Sequence, residues 1–131
     1  MPSLFTMIIN GDLPGNFVYR DDKCVAFLSI EPLSPGHTLV VPIVEVDHWI
    51  DLDTDLAAHL IAVAQRVGKA IDSVYSPRKV GMMIAGLEVP HVHLHVTQMN
   101  TVTDLDFANA RPAAASDLAD VAATLSAAMV S

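Results

Sequence analysis

The sequence predicts an α+β fold: a mostly antiparallel five-stranded sheet with one long helix and a C-terminal helix. Three observations carry this. Stretches such as His91-Val92-His93-Leu94-His95-Val96 alternate apolar residues with others, the period of a half-buried strand. Between Thr54 and Val74 the residues Leu56, Leu60, Val63, Val67, Ile71 and Val74 recur at three-to-four spacing, which places them on one helix face. The element order is hairpin, strand, helix, two strands, helix.

Taken in order, residues 3–10 form a short helix with Ser3 as its cap. The segment from Gly11 to Asn16 is a turn cluster. Phe17 to Arg20 and Lys23 to Leu28 are the two strands of a hairpin, joined at Asp21-Asp22. Glu31 to Gly36 holds two prolines and a glycine and is a loop. His37 to Pro42 is a short apolar strand stopped by its proline. Residues 43–53 are an irregular acidic connection, and His48 and Trp49 within it are assigned to the surface or to dimer packing. Asp53 or Thr54 caps the long helix, Asp55 complements its dipole, and Ser76-Pro77 ends it. His59 falls on the flank of its apolar face, as a helix-interface histidine. Lys79 to Ala85 is a strand whose composition predicts burial on both sides. Gly86 to Pro90 turns the chain into the histidine strand, residues 91–97. The chain is then polar and irregular to Arg111, before an Ala-rich helix from Pro112 or Ser116 to near Met129.

With 131 residues, 52% of them hydrophobic, the chain is long enough for one domain with a buried core. The start, Met-Pro-Ser-Leu-Phe-Thr, lacks the basic region of a signal peptide. No apolar run reaches the ~18 residues of a membrane helix. The single cysteine, Cys24, has no internal disulfide partner, which fits a reducing cytoplasm, and its neighbours Val25 to Phe27 make it a packed strand thiol. A net charge of −8 argues against long nucleic acid. It leaves room for a small phosphorylated ligand held by backbone N–H groups and imidazoles.

Three of the six histidines lie in the run from His91 to His95. On a strand, residues two apart share a face, so the imidazoles line one side while Val92, Leu94 and Val96 enter the core. Three readings follow. The histidines are partly exposed strand residues without a role; or two of them, with a distant ligand, hold a metal; or they carry covalent chemistry at phosphorus. All three on one straight strand span about 13–14 Å, too far for a single ion. A neutral imidazole attacks phosphorus well when its second nitrogen is fixed as a donor, and a backbone carbonyl can do this for His93. His37, just after Pro35-Gly36, is placed to complete a four-histidine pocket.

The run His91-Val92-His93-Leu94-His95-Val96-Thr97 resembles the signature of the histidine triad (HIT) family, His-φ-His-φ-His-φ-φ with φ apolar, departing only at Thr97. Tyr19 to Leu28 is similar to the family's hairpin, Pro35 to Pro42 to its second signature with the fourth histidine, and Gly11 to Pro14 to its N-terminal segment. The resemblance covers roughly residues 3–98 and is to the small, bacterial-type, single-domain members, with 112–129 as a helical extension. It implies a HIT-like fold that forms a homodimer through the long helix and an adjoining strand. It implies a nucleotide phosphoramidase or hydrolase in which His93 attacks the α-phosphorus of a purine nucleotide, giving a nucleotidyl-histidine that water cleaves. The His91 carbonyl would orient His93, His91 and His95 would contact phosphate, and His37 would support the row. Relatives that transfer nucleotidyl groups tend to carry Gln at the third place, so His95 favours hydrolysis.

The resemblance also marks departures. Many relatives hold a structural zinc with two cysteines near the start and a further histidine; Ser3, Thr6 and Glu45 stand there, so no zinc and no cofactor is expected. The ribose-gripping acidic or amide residue is replaced by Ser29, with Glu31 close by, and the phosphate-contacting Gln and Ser/Thr by Leu87 and Glu88. A carboxylate at Glu88 repels phosphate unless it points away or is protonated. Phe5, with Leu4 and Ile8, is placed either in the core or in the wall of a base pocket. These departures motivate the rival function, a nucleotide- or partner-binding module with little turnover.

Overall fold

The computed structural model describes residues 2–129. Helix α1 (Leu4–Ile9) starts where the Ser3 hydroxyl accepts the Thr6 N–H. Strands β1 (Phe17–Arg20) and β2 (Cys24–Leu28) form the hairpin, followed by β3 (Thr38–Pro42). Helix α2 (Thr54–Tyr75) is capped by Asp53, whose side chain accepts from Asp55 N–H, and ends at Ser76 in the left-handed region. Strands β4 (Lys79–Met83) and β5 (Leu94–Met99) follow, then helix α3 (Ala115–Met129).

The five strands form one sheet in the order β1-β2-β3-β5-β4, and every neighbouring pair is antiparallel. Alternation along each strand sorts the side chains between two faces. Cys24, Ala26, Leu28, Val40, Leu94 and Val96 join Leu60, Val67 and Ile71 of α2 and Leu118, Ala122 and Leu125 of α3 in one core. Leu60, Val67 and Ile71 are at most 1% exposed. Burial of each such side chain stabilises by ~1.5–3 kcal/mol, so the apolar stripe of α2 anchors the helix layer. On the opposite face Val25, Phe27, Leu39 and Val41 pack with Phe5 and Ile9 of α1. The histidines emerge on this second face, beside α1.

The structure corrects two expectations. Regular pairing of the histidine strand begins at Leu94, so His91 and His93 precede β5. Pro42 has no N–H to offer the chain opposite it, and Val92 N–H bonds to the Val46 carbonyl instead, at 2.7 Å. The inward alternation nevertheless persists, with Val92 1% exposed. The strand expected to be buried on both sides, Lys79 to Ala85, is the edge strand β4: it stops at Met83, Lys79 is exposed, and Met82 is 45% exposed. An apolar composition fits a central strand and an unpartnered edge equally, so composition alone did not separate them.

Gly36 sets the direction of the chain into β3. Its φ is +91°, and a Cβ there would lie 2.8 Å from the Tyr75 ring. Glycine is therefore required by both conformation and space. His37 follows immediately, with its ring turned toward β5.

Candidate active site

The hydrogen bonds around the four histidines fix where each proton sits. The Leu33 N–H donates to His37 Nδ1 at 3.0 Å. An amide can only donate, so Nδ1 is a lone pair and His37 carries its proton on Nε2. That proton is directed at His95 Nδ1, 3.0 Å away. His95 then carries its own proton on Nε2. On the other side, His93 Nδ1–H donates to the His91 carbonyl at 2.8 Å, leaving Nε2 of His93 as a lone pair.

Electrostatics agree with neutral rings. Burial, helped by the neighbouring His93, lowers His37 to about 4. Burial, with His93 and His37, lowers His95 to about 3. His93 is also lowered, mainly by burial, against the opposing pull of the His91 carbonyl and the Glu88 charge. Desolvation disfavours each imidazolium. The site thus presents a nucleophilic lone pair on His93 beside an N–H donor on His95, with ring centroids 4.9 Å apart.

A cleft of about 330 Å³ opens over these two rings. Its floor is His93 and His95, its apolar walls include Phe5, Phe27 and Ile30, and its rim carries Ser29, Glu31 and Glu88. Two carboxylates therefore border the cleft, and no lysine or arginine is among its lining residues. Phe5, 5% exposed, sets its ring edge-on to His93 at 4.8 Å, so α1 helps hold the His93 ring. The Ser29 hydroxyl accepts from Glu31 N–H at 3.3 Å. Wider hollows lie elsewhere. One of about 530 Å³, between the 29–37 loop and the 109–121 segment, backs onto His37, both of whose ring nitrogens are engaged. The cleft over His93 and His95 is the one onto which the Nε2 atoms of both triad rings are left free.

Six of the expected residues come together in this way: His93, His95, Ser29, Phe5 and Glu88 line the cleft, and His37 backs it. Two are placed differently. The His91 ring, expected at the phosphate, is fully buried and turned inward: Nε2–H donates to the Pro42 carbonyl at 2.7 Å and Nδ1 faces the Ser3 hydroxyl at 2.6 Å. His91 reaches the site only through its carbonyl. Leu87, also expected at the phosphate, is 93% exposed and does not line the cleft. The positive φ of Gly86, +73°, bends the chain just before it and leaves the side chain in solvent. The Phe107 ring, 4.8 Å from that of His95, was not anticipated. Its only signal is a lone aromatic residue in an irregular segment.

These contacts also bear on metals at the triad. With both His91 nitrogens and the facing nitrogens of His37 and His95 engaged, only Nε2 of His93 and Nε2 of His95 remain, too few protein ligands for a closed structural zinc.

The sequence and the fold match known proteins. A HIT-like protein of Borreliella burgdorferi is 36% identical over 100 residues, covering 71% of this chain and 72% of its own. A solved structure from Sulfolobus tokodaii, described as a hypothetical histidine triad nucleotide-binding protein, superposes with a TM-score of 0.84 at 25% identity, covering 96% of this chain and 91% of that one. A zinc-bound histidine triad family protein from Mycobacterium smegmatis superposes with a TM-score of 0.83 at 28% identity, covering 97% and 92%.

The residues at which a structural zinc was weighed do not fit that ion. Ser3 N–H and the Thr6 hydroxyl both donate to Glu45 Oε1, at 2.6 and 2.7 Å, and the Ser3 hydroxyl meets His91 Nδ1. Two neutral hydroxyls are poor zinc ligands, and both are already committed to this network. Hydrogen bonds join α1 to the histidine segment in this chain. With residues 10–102 matching the HIT domain and the triad assembled as described, the chain belongs to the HIT family.

Proposed function

We propose that this protein is a nucleotide phosphoramidase or hydrolase that acts at the α-phosphorus of a purine nucleotide derivative through a nucleotidyl-histidine. The observation that carries the reading is the lone pair on His93 Nε2, set by the Nδ1–H bond to the His91 carbonyl. Nε2 attacks phosphorus, and the bond to the leaving group breaks with its electron pair on the leaving atom, which is protonated from solvent. His95 Nε2–H donates a hydrogen bond to the charge that develops there. Water then attacks the same phosphorus, the P–Nε2 bond breaks, and the mononucleotide leaves with His93 neutral again. The base rests on the apolar walls, Phe5 among them, and Ser29 meets the ribose. His37 keeps His95 in the right tautomer. The test is turnover of an adenosine phosphoramidate by the native chain and by His93→Ala. Loss in the variant supports the reading, and equal rates refute it.

A second reading is favoured by one observation. Glu31 and Glu88 border the cleft without a cation, which weakens affinity for polyanionic nucleotides and suits a binding module with little turnover. Calorimetric binding of a nucleotide with negligible hydrolysis across a substrate panel selects that reading.

The proposed working form is a homodimer. Edge strand β4 leaves its outer hydrogen-bonding groups unpaired in the sheet, with Met82 45% and Ile61 of α2 46% exposed beside it. Pairing of β4 with its copy joins the two sheets and covers both side chains. Light scattering should give a dimer mass that falls to the monomer in Met82→Lys. The lone thiol of Cys24 suits the cytoplasm as its setting.

A further inference from the structure

On the face of the sheet opposite the histidines, a second group of chemically capable side chains converges where the β1–β2 turn meets α2. Asp21 Oδ1 accepts the N–H groups of Lys23 and Cys24, both at 2.8 Å, which fixes the turn. Its other oxygen, Oδ2, faces three groups: the Tyr19 hydroxyl at 2.8 Å, His59 Nε2 at 2.7 Å and the Cys24 thiol at 3.9 Å. Oδ2, Nε2 and Sγ all lie within 4.8 Å of one another, the one such group of metal-capable side chains among the described residues. Ordinary zinc–ligand lengths of about 2.0–2.3 Å set tetrahedral ligand atoms about 3.3–3.8 Å apart, so an ion held by all three needs the partly exposed His59 ring and the Cys24 side chain to close by up to about an ångström.

We propose that Asp21, Cys24 and His59 form a binding site for a zinc-class divalent cation, separate from the catalytic cleft. The donor types decide the class: a thiolate and an imidazole favour zinc over calcium or magnesium, which prefer oxygen. Binding releases the thiol proton to solvent, and His59, whose Nε2–H donates to Asp21 Oδ2 before binding, exchanges to the tautomer protonated on Nδ1 so that Nε2 is free to ligate. The Tyr19 hydroxyl continues to hold the carboxylate. The mouth is open, since the side chains of His59 and Asp21 are 29% and 19% exposed, while Cys24 at 0% forms the floor. Water can take a fourth position on the open side. The three residues come from the hairpin and from α2, so the ion would fasten β1 and β2 to the helix layer.

The test exploits the single cysteine. Any thiolate-to-cobalt charge-transfer band formed on adding Co²⁺ to the full-length, folded chain must come from Cys24. The expected result is a band that saturates at one equivalent, is displaced by Zn²⁺, and is absent in Cys24→Ser. His59→Ala, at a partly exposed position, should weaken cobalt binding by about tenfold or more and leave nucleotide turnover unchanged. No charge-transfer band at saturating Co²⁺, or a band of unaltered affinity in His59→Ala, overturns the proposal.

Discussion

His37 and His95 are joined ring to ring, Nε2 to Nδ1 at 3.0 Å, and the Leu33 N–H behind His37 gives that bond its direction. One backbone amide thereby determines which nitrogen of His95 offers a proton to the cleft. The relation is between three elements, the 29–37 loop, the start of β3 and β5, and it makes the loop geometry at Gly36 part of the site.

Removing His37 should therefore damage catalysis more than binding. In His37→Ala a buried His95 nitrogen loses its partner, at about 1–3 kcal/mol, and the tautomer is no longer fixed. We expect kcat to fall by about tenfold to hundredfold with KM little changed, and His37→Gln, which supplies an amide N–H, to recover part of the loss. Steady-state kinetics on both variants decide this.

Acid should destabilise the fold well before it protonates ordinary carboxylates. His37 and His95 titrate at about 4 and about 3 in the native state, against 6.5 in an unfolded chain. Between those values the unfolded state binds more protons, so stability rises with pH and is lost as pH falls from 6.5 toward 3. Each histidine contributes at most about 1.4 kcal/mol per pH unit in that window. Asp21, whose carboxyl is held well below its usual 3.8 by the turn N–H groups, Tyr19 and His59 against the cost of burial, adds its loss only below that value. Urea unfolding at pH 7 and pH 5 should show the native chain losing stability and His37→Gln losing less.

Glu88 should act on charge. Its carboxylate borders the cleft and favours protonation of His93. In Glu88→Gln, kcat/KM for a nucleotide with an anionic leaving group should rise several-fold, an effect that shrinks with salt, since the group is exposed. The acid limb of the pH–rate profile should move to lower pH, because His93 loses a group that raises its pKa.

Ser3 ties α1 to the histidine segment. Its hydroxyl caps α1 and meets His91 Nδ1, 2.6 Å away. Ser3→Ala should cost about 1–3 kcal/mol in thermal or urea unfolding, and kcat should fall modestly, since Phe5 on α1 braces His93.

Much of this arrangement was legible from local pattern. The hairpin is set by Asp21, whose side chain holds the turn, and α2 by Asp53 at one end and Ser76 at the other. The alternation of His91 to Val96 gave the inward face, and Pro35-Gly36 placed His37. What was not legible depends on distant partners. The His91 ring turns to Ser3, 88 positions away, and to Pro42, so it leaves the cleft although its spacing matches that of the other two. Leu87 points to solvent because of the bend at Gly86, and Phe107 meets His95 from a segment without periodicity. His59, assigned to the helix interface, pairs instead with Asp21 across 38 positions. The exposed side of β4 could not be read from an apolar composition shared by central strands and by edges that await a partner.

The most direct test is to trap the covalent species. The native chain, mixed with an adenosine phosphoramidate and quenched in alkali, should carry one acid-labile adenylyl group, and peptide mass spectrometry should place it on His93. Turnover by the native chain with no adduct at any time point, or an adduct that persists in His93→Ala, contradicts the account.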